Sequence, residues 1–135
     1  MGIYLNPGNG GFERIVNSNY VDKTGLIGLI NKTIGKTKNL TCISRPRRFG
    51  KSFAAQMLCA YYDKTCDSHR LFDNLAIAGE EGYEKHINKY DVIYLDMTQI
   101  LAEARKTDII DFMTEKITDE LLEAYPSVAA DSAFT

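Results

Sequence analysis

The residues of this chain whose types and spacing could do chemistry are Gly50, Lys51 and Ser52. A nucleoside triphosphate presents several anionic oxygens, and a common protein answer is a strand-to-helix turn whose backbone N–H groups encircle the phosphates at the helix N-terminus. The pattern for that turn is GxxxxGK[ST]: the second glycine lets the backbone approach, the lysine reaches the β- and γ-phosphates, and the hydroxyl ligates Mg²⁺. In ISRPRRFGKSF, residues 43–53, three of the four fixed positions match, and Arg45 followed by Pro46 stands where the first glycine would. The loop must then close without a residue that adopts positive φ freely at that point. Arg47, Arg48, Phe49, Gly50, Lys51, Ser52 and Phe53 make up the candidate nucleotide-binding stretch. Lys51 is the candidate catalytic residue and Ser52 the candidate Mg²⁺ ligand, with ATP as the ligand or substrate.

A GKS triplet occurs often by chance, so the elements that position it decide its weight. Residues 40–44 (LTCIS) are short and β-favouring, which predicts a buried strand before the loop. KSFAAQMLCAYYDK follows, and Phe53, Met57, Leu58, Tyr61 and Tyr62 predict a helix beginning at the loop. Upstream, residues 1–11 are turn-rich and without periodicity. Asp22 can cap a helix in which Leu26, Ile27, Leu29, Ile30 and Ile34 recur until Gly35. Residues 64–90 are mixed, LFDNLAI at 71–77 being the coherent apolar group, and no element is assigned there. Residues 92–95 (VIYL) predict a second buried strand, ended by Asp96. Thr107 can cap a helix carrying Ile109, Ile110, Phe112, Met113, Ile117, Leu121 and Leu122, which Pro126 closes.

The order helix, strand, loop, helix, long connection, strand, helix predicts an α/β fold, a P-loop NTPase-like parallel sheet with flanking helices. Two strands do not finish such a sheet, so an incomplete, N-terminal portion of the domain is expected. Residues 1–38 read as lead-in and helix, and 39–135 as the loop-bearing part.

Four stretches also resemble a known family. YVDKT at 20–24, RPRRFGKS at 45–52, LFDNLAI at 71–77 and VIYLD at 92–96 are similar, in order, to the bacterial predicted AAA-ATPase-like family, whose variant Walker A reads RPRRFGKS. The resemblance implies ATP binding, with hydrolysis by a longer parent protein that continues into an acidic DEYD strand and commonly a nuclease-like domain acting on nucleic acid. It implies that Arg47 and Arg48 add charge around the triphosphate. It also places Tyr20 and Asp22 near the base, although Asp22 reads equally as a helix cap. Asp96 is a candidate Mg²⁺-associated acid, weighed against a loop or cap role, because Met97 and Thr98 follow it rather than a second carboxylate.

Composition bounds the alternatives. With 44% hydrophobic and 25% charged residues, the chain has the make-up of a soluble globular protein. A net charge of -2 gives no global attraction to polyanions, so the one local basic cluster, Arg45, Arg47, Arg48 and Lys51, would have to carry a nucleic-acid-binding module. Phe49 is the single aromatic among them, where single-strand binding favours several. A third reading is a noncatalytic assembly module that self-associates through an exposed sheet edge. The odd count of three cysteines suits neither a disulfide framework nor a zinc site, and His69 and His86 are isolated in sequence and given no role. No stretch approaches the roughly 18–20 apolar residues of a membrane span, and a cytoplasmic protein is expected.

Overall fold

The computed structural model describes residues 4–18, 20–43, 51–104 and 108–126, with Lys51 and Ser52 described by backbone alone. The chain packs as two compact units: residues 8–91, and residues 1–7 together with 92–135.

In the first unit, Asn9 leads into α1 (Gly10–Val16), which opens on two glycines, poor helix formers, so packing rather than propensity holds it. Phe12 and Ile15, three apart, are its buried face. Phe12 is fully buried and stacks on Phe72, with centroids 4.9 Å apart. α2 (Gly25–Asn31) buries Ile27, and the chain then turns at Gly35, whose φ of 79° favours glycine. α3 (Lys51–Tyr62) supplies Met57, Ala60 and Tyr61 to the core and packs against α1.

Three short helical pieces follow: α4 (His69–Phe72), a 3-10 helix (Ala76–Gly79) and α5 (Tyr83–His86). They bring Leu71, Phe72, Ile77, Tyr83 and the adjoining Ile87 into the same core. Buried polar groups knit its edge. Asp63 takes the Gly8 N–H at 2.6 Å and the Thr65 N–H and hydroxyl. The Asn88 amide donates to the Ala60 and Asp63 carbonyls, which closes the C-terminal end of α3. His69, isolated in sequence, lies between the Asp67 and Glu84 carboxylates at 2.6 and 3.1 Å, and these two bonds raise its pKa. All three cysteines are free thiols, and burial pushes that of Cys59 up to about 11, the wrong direction for a nucleophile.

In the second unit, Tyr4–Asn6 run antiparallel to Val92–Tyr94 for a single bridge, Leu5 with Ile93, flanked by Asn6 N–H to Val92 O at 2.7 Å and Tyr94 N–H to Tyr4 O at 2.8 Å. Glu120 of α7 (Ile109–Ala124) accepts the Tyr4 N–H at 3.1 Å. α6 (Met97–Ala104) packs against α7. The cap of α7 is Asp108, whose carboxylate takes the Ile110 and Asp111 N–H groups, while Thr107 lies outside the described residues.

The expected parallel sheet is not present: the described residues contain no strand, only two isolated bridges, the second joining Asp63 and Tyr90. Strand propensity is realised only where a neighbour supplies a ladder and a packing surface. Residues 40–43 have neither; Leu40 is 97% exposed and Ile43 37%. Residues 92–96 find a partner only as far as Asn6, where φ turns positive and Pro7 offers no N–H to extend the ladder.

Candidate nucleotide site

α3 begins at Lys51, so the second and third members of the GKS triplet sit in the first turn of a twelve-residue helix. The leading N–H groups of a helix have no intrahelical acceptor, and the helix dipole favours an anion beside them. Arg45, Arg47, Arg48, Phe49 and Gly50 lie outside the described residues. The backbone of Ser52 fits the second position of such a helix. Mg²⁺ keeps several waters and needs only one or two protein ligands besides substrate phosphate, so a single hydroxyl is a sufficient protein contribution. Among the described residues no cluster of three or more His, Cys, Asp or Glu side chains could hold a metal by itself.

One residue further along, Phe53 is 57% exposed and forms part of a hollow of about 200 Å³ with Ile15, Ser18, Tyr20, Val21 and Lys23. Whole ligand pockets run to roughly 300–1,000 Å³, so this is the size of a subsite for one ring system. Its walls come from the end of α1, from Ser18, Tyr20, Val21 and Lys23, and from the first turn of α3. Tyr20 is fixed within it: its ring meets the edge of Phe12 at 5.5 Å, its hydroxyl donates to Met57 Sδ at 3.4 Å, and it accepts the Lys23 N–H at 3.1 Å. Burial raises its pKa.

Asp22 does not cap α2. Its carboxylate takes the Thr24 N–H at 2.9 Å, the Thr24 hydroxyl at 2.6 Å and the Ala76 N–H at 2.8 Å. Burial opposes its charge, but those three donors outweigh it, and the carboxyl is held below the usual range. Asp96 has the cap role: its Oδ1 accepts the Thr98 and Gln99 N–H groups at 3.0 and 3.3 Å, at the start of α6.

A model of the family described as predicted AAA-ATPase matches residues 8–133. The chain belongs to that family. Comparisons with curated proteins and with solved structures find no match. In this AAA-ATPase family member, the structure brings Tyr20 and Phe53 to one hollow beside the start of α3, and directs the Asp22 carboxylate to backbone groups. Ile15, Ser18, Val21, Lys23 and Thr24 were not among the sequence candidates. Tyr20 is half-buried, Val21, Asp22 and Lys23 are exposed and Thr24 is buried, so no strand-like alternation in YVDKT marks these residues in the sequence. No helix among the described residues is long and apolar enough to cross a membrane.

Proposed function

We propose that this chain binds the triphosphate of ATP at the N-terminus of α3, through Gly50, Lys51 and Ser52 with Arg47 and Arg48 beside them, and its base in the hollow formed by Tyr20 and Phe53. The observation that carries the reading is the start of α3 at Lys51 with an aromatic-lined hollow at Phe53, two residues beyond it. Family membership supports it, since the matched region includes the whole loop. Magnesium bound with the nucleotide would neutralise charge on the phosphates, and Ser52 is the residue of this chain that would hold it.

Binding, not hydrolysis, is assigned to these residues. Hydrolysis requires a group that orients the attacking water, and the acid that sequence offered for metal association, Asp96, is engaged with helix N–H groups.

The two-part site predicts a difference between ligands. Mg·ATP should bind more tightly than Mg·tripolyphosphate, and Phe53→Ala should remove most of that difference, about tenfold if an exposed stacking contact of 1–3 kcal/mol is lost. Titration calorimetry reads both. Equal affinity for the two ligands, or an unaltered ratio in Phe53→Ala, would contradict the base site.

A further inference from the structure

Residues 20–24 adopt neither helix nor strand, yet three of them, Tyr20, Val21 and Lys23, form wall of the hollow beside Phe53. Two anchors replace the missing repeat. At one end Tyr20 is tied to Met57 and packed against Phe12. At the other, Asp22 Oδ1 takes the Thr24 N–H and hydroxyl, and Asp22 Oδ2 takes the Ala76 N–H. The Thr24 hydroxyl, whose residue is fully buried, in turn accepts the Ile77 N–H at 3.1 Å.

Ala76 and Ile77 open the 3-10 helix, and their N–H groups face out of its first turn without a helical acceptor. Leu75, at the cap position, has no side-chain acceptor. Asp22 and Thr24 therefore cap that helix from a distance of more than fifty residues in the chain, and the bonds to the carboxylate are charge-assisted. Ile77 is fully buried in the core, so the far side of the clamp is immobilised. Val21, 71% exposed, and Lys23 lie between the anchors.

We infer that Asp22 and Thr24 are positioning residues for the base hollow: they lock YVDKT to LFDNLAI and thereby fix Val21 and Lys23 in the wall beside Phe53. This rests on the nucleotide reading above. Two of the chain's four family-like stretches then act as one device, neither Asp22 nor Thr24 touching nucleotide.

Thr24→Val swaps the hydroxyl for a methyl of similar size, and Thr24→Ser retains the hydroxyl. Calorimetry on the full chain should show Thr24→Val binding Mg·ATP about tenfold more weakly, the scale of one lost hydrogen bond to a charged group. Mg·tripolyphosphate affinity should stay unchanged, and Thr24→Ser should restore ATP binding. Asp22→Asn, which keeps one acceptor, should show a smaller loss in the same direction where Thr24→Val folds poorly. In nucleotide-free protein, the Ala76 and Ile77 amides should exchange hydrogen faster in both variants. Equal weakening of the two ligands would mark a merely structural role, and unchanged exchange would remove the clamp. A wild type that binds neither ligand would overturn the nucleotide reading and the positioning role with it. Normal ATP binding by Thr24→Val would overturn the positioning role alone.

Discussion

Single carboxylates in this chain are told apart by the donors around them. Asp96 and Asp108 each take two N–H groups of a helix they precede. Asp22 instead takes a hydroxyl and two N–H groups, one of them from residue 76. The sequence offered Asp22 as a base-proximal residue or a cap of the helix that follows it, because the helix whose N–H it accepts lies far along the chain and no local pattern reveals that. Asp96→Ala should lower stability by about 0.5–2 kcal/mol, the usual cost of losing an N-cap, whereas Asp96→Asn, itself a good cap, should cost little. Denaturant unfolding measures the difference. Both variants should keep the wild-type affinity for Mg·ATP; a large loss in Asp96→Asn would return that residue to the metal.

Among the elements, three helices were legible from apolar spacing, whereas α6, though eight residues long, was not assigned from the sequence. α2, α3 and α7 fall where the apolar spacing put them, and α3 starts where the loop ends. α4, the 3-10 helix and α5, at four residues each, are too short to show a period, and tertiary contact holds them. α1 was hidden by the glycines around it, although Phe12 and Ile15 carry its core face. The strands failed for the opposite reason: residues 40–43 and 92–96 have the propensity, but what makes a strand is its neighbour. α1 offers a direct check on the core. Phe12 is fully buried and stacked on Phe72, so Phe12→Ala should destabilise the unit of residues 8–91 by about 3–5 kcal/mol. A loss under 1 kcal/mol in denaturant unfolding would mean that α1 is not part of that core.

For the whole molecule, the family model matches residues 8–133, α3 starts at Lys51, and the hollow includes Phe53 of its first turn. The proposed phosphate loop is read from consecutive residues, 45–52, most of which lie outside the described residues. The hollow was not legible in the sequence, because it is assembled from Ile15, Ser18, Tyr20, Val21, Lys23 and Phe53, which only folding brings together. A net charge of -2 leaves local geometry, not overall attraction, to hold an anion. The central claim is the proposal that Lys51, a residue of the first turn of α3, holds the triphosphate. Its most direct test is titration calorimetry of Mg·ATP into the wild-type chain and into Lys51→Ala. One binding site in the wild type, weakened at least about tenfold in Lys51→Ala while the unfolding curve without nucleotide is unchanged, is the predicted result. Identical titrations for the two proteins, or no heat of binding in the wild type, would contradict it.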